Sequence, residues 1–588
     1  APDKDPVTQA SGGGDFMVDV LKTLDIDYLA MNCASSFRGL HEAVVNYGNN
    51  VKPEILTCNH EEIAVAMGHG YAKIEGKPLA MICHGVVGLQ HATMAMYNAW
   101  CDRVPVYCIG GNILEANKRG NSTAEWVHSA VDIGAAVRDY TKWDDQPASL
   151  QHFAESAVRA YKIATTPPMG PVLLSLDAEL QENPIAEGDK LHIPKLSKVV
   201  PPQADSGAVA ELAKLLVNAE APVIVVDRMA RTQAGMDRLV ELAEVLQCAV
   251  SDRAGRTNFP SRHPLNQSSR GGAVISQADV ILAMELNDQF GALNAFHDRI
   301  VRTAQPLYKP GTKVVTLGLR DMYLKANYQD FGRFSDTDLS IAGDSEATLP
   351  ALIEACKKLI DSGRKAAYET RGKRYAAAHL AQLDRAKSDA TIGWDQAPIT
   401  TARMCAEVYA QIKGEDWSLV GNSIGNAWPA RLWNIEKAYR WNGGSGGSGV
   451  GYNAPASLGA ALANKRHGRL SVTFNGDGDL LFVPTTLWTA AHHRIPILYI
   501  VHNNRAYHQE YMYLQAMCNR RNRGIENAHV GVAITDPNVD FATVARGFGV
   551  YGEGPIVDPK ELGPAIKRAL AVVKSGAPAL IDVVADQR

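Results

Sequence analysis

Residues 475–504 read NGDGDLLFVPTTLWTAAHHRIPILYIVHNN, a stretch that opens on Gly-Asp-Gly and closes on two asparagines. Asp477 offers a carboxylate and Asn504 an amide oxygen. With a nearby backbone carbonyl these are hard oxygen donors, suited to Mg²⁺ with water and phosphate completing its octahedron. Gly476 and Gly478 carry no side chain, so the backbone N–H groups beside them can approach a phosphate closely. Either piece alone reads as a plain turn or a helix cap. Position joins them: RLSVTFN and IPILYIVH are strand candidates, and as parallel neighbours they place Asp477 and Asn504 at one sheet edge.

Those strands belong to a chain that alternates short apolar runs with helical segments. Residues 11–190 contain VPVYCIGG, GPVLLSLD and the helical DFMVDVLKTL. IPKLSKVVPPQADSG (193–207) is Pro-rich and polar and reads as a linker. Residues 205–365 repeat the alternation, with PVIVVD, DVILAME and TKVVTLG as strands. A charged helical run, GRKAAYETRGKRYAAAHLAQLDRAK, leads into a third block at 390–588. The expected fold is α/β, with three doubly wound parallel-sheet domains whose ligands sit at the carboxyl ends of the strands.

Length agrees, since 588 residues exceed one core and suggest about three domains at roughly 150–200 residues each. Net charge is -4, from 59 basic and 63 acidic residues, so nothing points to nucleic acid or an anionic membrane. No apolar run is long enough for a membrane span. Nine cysteines with no CxxC argue against a disulfide framework or a zinc knuckle and for buried reduced thiols. The stretch APDKDPVTQASGGG reads as a flexible leader. The expected compartment is the cytoplasm, or the periplasm if Ala1 marks a cleaved export signal.

Gly-Asp-Gly, then 24 residues, then Asn-Asn resembles the cofactor signature of thiamine-diphosphate enzymes, and the likeness covers nearly the whole chain. The resemblance implies that Asp477, Asn504 and the carbonyl of Ala506 bind Mg²⁺, which clamps the diphosphate, and that Gly476, Gly478 and Asp479 line the cofactor. LTCNHEEIAVAMGHGYAK (56–73) is similar to the family's His-Glu…Gly-Tyr-Ala-Arg segment, with Glu61 nine residues before Gly70. Glu61 then faces N1′ of the aminopyrimidine, where a shared proton favours the imino form that generates the C2 ylid. Outside that context it would be an exposed carboxylate stabilised by a helix dipole. GGSGVGYNAPASLGAALA (446–463) resembles the loop in which Val450 wedges between the two cofactor rings and the Ser448 carbonyl accepts from the 4′-amino group. VGNSIGN (420–426) is similar to the diphosphate-side turn, which assigns Gly425 and Asn426 to the cofactor. The first domain thus looks pyrimidine-binding and the third diphosphate-binding. In this family the cofactor bridges two subunits, which implies a homodimer or homotetramer with sites at the subunit interface.

The branch within the family is mixed. MICHGVVGLQHATMAMYNAW (81–100) can be laid without gaps on the benzoylformate decarboxylase segment, making His84 the catalytic histidine, with Gly85 replacing a serine. NCASS (32–36) is similar to the decarboxylase turn that would give Ser35 the substrate carboxylate. FHDRIVRTAQPLYKPGT (296–312) resembles the region of a second active-site histidine, His297. Glu510, six residues after Asn504, matches a glutamate of the pyruvate and indolepyruvate decarboxylases, and His508 lies beside it. Imidazoles here would relay protons near neutral pH. The plainer readings are a core histidine for His84 and solvent-facing ones for His297 and His508. Arg520, Arg521 and Arg523 would meet a substrate carboxylate or acyl-CoA phosphates, or form a solvated face. VIVVDRMARTQAG lacks the glycine-rich turn of FAD-binding members, so no FAD is expected.

The expectation is a thiamine-diphosphate- and Mg²⁺-dependent lyase acting on a small 2-oxo acid or 2-hydroxy ketone through an ylid and an enamine. A 2-oxo acid decarboxylase with carboligase capacity leads. Its rivals are an acetolactate-synthase-like carboligase, a C–C lyase of hydroxyacyl-CoA or cyclic diketones, and a thiamine-diphosphate-binding protein without catalysis.

Overall fold

Alternation of strand and helix builds three sheets, each entirely parallel. The structure is a computed structural model that describes residues 9–118, 126–297, 300, 302–320, 332–424 and 427–586. The first sheet has strands β1 (Tyr28–Met31), β2 (Glu54–Thr57), β3 (Ala80–Cys83), β4 (Tyr107–Asn112), β5 (Trp143–Asp145) and β6 (Val172–Asp177), in the order β2-β1-β3-β4-β6-β5. Strands β3 and β4 are buried along their whole length, as expected for a parallel sheet covered on both faces.

The central sheet contains β7 (Pro222–Val226), β8 (Ala249–Asp252), β9 (Val280–Met284), β12 (Lys313–Gly318) and β13 (Leu339–Ala342), ordered β13-β12-β9-β7-β8. A small antiparallel hairpin, β10 (Asn294–Phe296) with β11 (Ala304–Pro306), interrupts it. The third sheet contains β14 (Trp417–Asn422), β15 (Leu470–Gly476), β16 (Leu498–Asn503), β17 (Tyr551–Ile556) and β18 (Ala579–Val584), ordered β14-β15-β16-β18-β17. Its register pairs Gly476 with His502, so the turns after β15 and β16 emerge side by side. The charged run seen in the sequence is a 29-residue helix, Ser362–Ala390, and the Pro-rich linker ends at Asp205, which caps helix Ser206–Asn218.

The first and third domains meet through two helices, Glu61–Glu75 and Asn453–Arg466, whose residues are buried almost all round. Small residues let their backbones touch: a Cβ on Gly70 would fall 1.8 Å from the Ala456 carbonyl oxygen, and one on Gly459 1.9 Å from that of Met67. Around this pair Thr57 N–H donates to His493 Nε2 at 2.8 Å, and Arg466 pairs with Asp27 at 2.6 Å. Both domains come from a single chain here. Within this chain these complementary small-residue helices pack the two domains together.

All three domains converge on Asp102, which is fully buried. Its carboxylate accepts from Lys73 Nζ at 2.5 Å and from Arg228 Nε at 2.7 Å, and lies 2.8 Å from His69 Nε2. Lys73 also donates to the Gly444 carbonyl of the third domain at 2.7 Å. These cations hold the Asp102 carboxyl well below the usual range against its burial. Beside it, Arg103 pairs with Glu285 at 2.9 Å. All nine cysteines are free and seven are buried, Cys33 being exposed and Cys518 half-buried. Among the described residues no helix is long and apolar enough to cross a membrane.

Candidate active site

Asp477 begins the short helix Asp477–Phe482 directly after β15 and is 2% exposed. Its Oδ1 accepts the Gly478 N–H at 2.8 Å, and its Oδ2 accepts the Arg505 N–H at 2.5 Å from the turn after β16. Burial pushes its carboxyl up to about 6. The two asparagines that close the motif divide the work. Asn503 turns into the core, where its Nδ2 donates to Asp582 at 3.0 Å. Asn504 turns toward Asp477's turn, and its Oδ1 accepts the Ala506 N–H at 3.2 Å. Gly476 N–H donates to Ser423 Oγ at 2.9 Å, tying the turn after β14 to the same edge. Ser423 is a neighbour that motif spacing had not singled out. Gly425 and Asn426 lie outside the described residues.

The loop before helix Asn453–Arg466 closes over this edge. Asn98, on helix Val86–Cys101 of the first domain, grips it from both sides: its Oδ1 accepts the Gly449 N–H at 3.0 Å and its Nδ2 donates to the Gly449 carbonyl at 3.3 Å. Ser448 has φ 56° and is exposed. Val450 is 43% exposed, an apolar side chain presented on a loop. Gly451 N–H donates to Asp479 Oδ1 at 2.7 Å. Asp479 Oδ2 and Glu62 Oε1, on opposite sides of the domain junction, are buried without hydrogen-bond partners. Burial, then the charge of Asp479, raises Glu62 to about 7, and burial raises Asp479.

Across the junction stand the carboxyl ends of the first sheet. Glu61 is the first residue of its helix, capped by His60, and is 5% exposed. Asn32, after β1, donates to Glu61 Oε1 at 3.2 Å. His84 follows β3; its Nδ1 lies 2.7 Å from Ser36 Oγ and its Nε2 lies 2.8 Å from His128 Nδ1. Glu61 and His84 share one spot, since a Cβ on Gly88 would lie 2.9 Å from Glu61 Oε1 and 3.2 Å from the His84 Cβ. A buried acid, a bonded imidazole pair and an oxygen-donor edge thus line one junction.

Family models match three segments: the N-terminal TPP binding domain of thiamine pyrophosphate enzymes over residues 12–133, the central domain over 209–352 and the C-terminal TPP binding domain over 421–583. The chain is a thiamine pyrophosphate enzyme. It is 25% identical to benzoylformate decarboxylase of Pseudomonas aeruginosa, covering 89% of this chain and 90% of that protein. It is 24% identical to a probable acetolactate synthase large subunit of Methanocaldococcus jannaschii, covering 90% of this chain and 85% of that one. A putative thiamin diphosphate-dependent enzyme from Mycobacterium smegmatis has a similar fold, with a TM-score of 0.76 at 20% identity over 98% of this chain and 100% of that one.

For a thiamine pyrophosphate enzyme the residues present fit the group. Asp477, Asn504 and the Ala506 carbonyl are oxygen donors at one edge, and the unpartnered Glu62 and Asp479 oxygens leave buried polar atoms at the junction. Among the described residues no cluster of three or more His, Cys, Asp and Glu forms a metal site.

The enzyme's substrate-side residues separate. The hydroxyl that reaches His84 belongs to Ser36, 2% exposed, whereas Ser35 is half-buried beside it. His297 is exposed on the β10–β11 hairpin, where its backbone N–H donates to the Thr303 carbonyl. His508 begins helix His508–Arg520 and is half-buried; Glu510, in that helix's first turn, is exposed. That helix buries none of its residues, and Arg520, Arg521 and Arg523 are all exposed, forming a solvated face. Ser36, Asn32 and His128 went unassigned in the sequence. Asn32 and Ser36 sit in the NCASS turn; His128 lies in WVHSA, which has no periodicity to mark it.

Proposed function

We propose that this enzyme is a thiamine-diphosphate- and Mg²⁺-dependent 2-oxo acid decarboxylase with carboligase capacity. The observation that carries the reading is the meeting of Glu61 and His84 at the Gly88 position, opposite the Asp477–Asn504 edge. Asp477, Asn504 and the Ala506 carbonyl would hold Mg²⁺, and the N–H groups around Gly476 and Gly478, with Asp479, Gly425 and Asn426, the diphosphate. Ser448 and Val450 would position the rings. Bound cofactor supplies an electron sink for the acyl carbon once CO₂ has left.

The chain's own residues do the rest. Asn32 occupies Glu61 Oε1 and so leaves Oε2 to hold the proton exchanged with the aminopyrimidine. Asn98 holds the cofactor loop against the first domain and helps exclude water. His84 would take part in carrying a proton to the product carbon. Ser35, at the mouth of the NCASS turn, would bind the substrate carboxylate. We assign His508 and Glu510 no contact with the reacting atoms and leave His297 out of the site.

A homodimer or homotetramer belongs to this reading; light scattering coupled to gel filtration tests it. FAD does not belong to it: Asp227 and Arg228, after β7, are paired with each other and Arg228 with Asp102. Flavin absorbance in the purified protein would sink that part.

The test is CO₂ release from 2-oxo acids, from pyruvate through branched-chain acids to benzoylformate, with and without thiamine diphosphate and Mg²⁺. Cofactor-dependent release is expected, and Glu61→Gln should lower kcat by about 10²-fold or more with the fold intact. One observation favours a second reading. His297 and Glu510, which would mark the decarboxylase branches, are both exposed. An acetolactate-synthase-like carboligase or a C–C lyase would then be indicated by a condensed product, or by cleavage of a hydroxy ketone, without release of a free aldehyde from any 2-oxo acid.

A further inference from the structure

His84 and His128 meet although 44 residues separate them. Their rings stand edge to face, with centroids 4.8 Å apart at 84°. The contact is built into the backbone. His128's carbonyl accepts the Val86 N–H at 2.8 Å, and a Cβ on Gly85 would lie 2.5 Å from that same carbonyl oxygen. Any side chain at position 85 would push His128 away. On the inner side Ser36 Oγ, buried, meets His84 Nδ1 at 2.7 Å and also accepts the Gly85 N–H at 3.4 Å. Both ring nitrogens of His84 are therefore engaged. The Nε2 of half-buried His128 has no hydrogen-bond partner among the described residues.

We propose that Ser36, His84 and His128 form a proton relay whose outward end is His128 Nε2, so that His128 is a further proton-transfer residue of this site. The use made of the proton rests on the decarboxylase reading; the relay itself rests on the geometry. A neutral imidazole has one N–H, so the uncharged chain has two hydrogen arrangements. In the first, Ser36 donates to His84 Nδ1, His84 Nε2–H donates to His128 Nδ1, and His128 presents an N–H outward. In the second, His128 Nδ1–H donates to His84 Nε2, His84 Nδ1–H donates to Ser36, and His128 presents a lone pair. Moving each proton one step outward turns the outer nitrogen from donor to acceptor while heavy atoms stay in place: the His128 Nε2 proton leaves at the outer end, and Ser36, having passed its proton to His84, takes up another from water.

The protonated pair carries one further proton, on His128 Nε2. Passing it to the substrate-derived carbon breaks one N–H bond, forms one C–H bond and returns the pair to neutrality. A proton from water then refills the nitrogen. Among the described residues, Glu61, from its helix, and Cys83, from β3, lie beside the His84 end of the pair, and burial keeps the Cys83 thiol protonated.

Two variants test this, with melting temperatures as a check on folding. His128→Ala deletes the bond to His84; His128→Asn retains an amide at the position of Nδ1 but transfers no proton. The first readout is acylation of His84 by diethyl pyrocarbonate in the full chain without cofactor, located by mass spectrometry. His84 should be protected in the wild type and in His128→Asn and react severalfold faster in His128→Ala. The second readout is kinetics with thiamine diphosphate and Mg²⁺. His128→Asn should lose about 10²-fold in kcat with KM little changed. Its pH–rate profile should lose one limb, and its products should shift from aldehyde toward acyloin, because protonation of the product carbon is slowed. Equal acylation of His84 in wild type and His128→Ala overturns the relay, as does His128→Asn with wild-type kcat and product ratio. If wild type releases no CO₂ from any 2-oxo acid, the functional reading fails by itself, and acylation alone decides the relay.

Discussion

Asn503 and Asn504 are chemically identical neighbours with opposite fates. Successive strand residues point to opposite faces, so one asparagine feeds the core carboxylate of Asp582 and the next is free for the site. The acids at the junction have consequences for pH. Asp477 must lose its proton to bind a cation, and burial raises its carboxyl to about 6. Apparent Mg²⁺ affinity, measured by titration with thiamine diphosphate present, should fall about tenfold per pH unit below that value. Glu62 is raised from 4.5 to about 7. Between those values the folded state binds more protons than the unfolded, so this group's contribution to stability grows as pH falls and is unfavourable above about 7. Glu62→Gln should therefore raise the stability of the cofactor-free protein by about 1–2 kcal/mol at pH 8 and by nothing at pH 4. Equal thermal shifts at both pH values would contradict the assigned cause.

At the scale of elements, the helices Glu61–Glu75 and Asn453–Arg466 set the distance across the site, because Glu61 starts one and the cofactor loop runs into the other. Their glycines are not equivalent. A Cβ on Gly70 meets the Ala456 carbonyl oxygen at 1.8 Å, whereas one on Gly68 has nothing nearer than Val106 Cγ1 at 3.5 Å. Gly70→Ala should cost about 3 kcal/mol and weaken cofactor binding by forcing the helices apart. Gly68→Ala should be neutral or stabilise by about 0.5–1 kcal/mol, since alanine suits a helix interior better. Chemical denaturation of the two variants separates these outcomes; similar behaviour would show that backbone contact does not set the spacing.

At the scale of the molecule, Asp102 is the joint. Removing its carboxylate leaves the buried Lys73 without its ion pair and takes from Arg228 one of its two carboxylate partners. Asp102→Ala should cost about 3–5 kcal/mol, the range for breaking a buried ion network. Calorimetry should show the domains unfolding in separate steps, because the network's partners come from all three. A single transition at the wild-type temperature would remove Asp102 from this role. None of this was legible in the sequence, where Asp102 follows AWC as an ordinary helix-end residue.

Local chemistry determined a great deal by itself. Apolar runs such as ILYIVHN and LSVTFNG could become only buried parallel strands, and their ends therefore had to carry the Gly-Asp-Gly and Asn-Asn turns to one edge. Glu61, at the head of a small-residue helix, was legible for the same reason. Tertiary structure alone decided what crosses between segments. Ser36 rather than Ser35 reaches His84, because the short turn Ser35–Phe37 rotates adjacent side chains apart, and spacing cannot resolve a one-residue step there. His128 arrives from a loop with no periodic signal, held by a backbone hydrogen bond beside a glycine. His297 and Glu510 were singled out by likeness of neighbouring residues, and in the single chain the hairpin and the helix that bear them leave both exposed. Periodicity and turn chemistry act over a few residues, whereas these placements depend on packing between parts of the chain far apart in sequence.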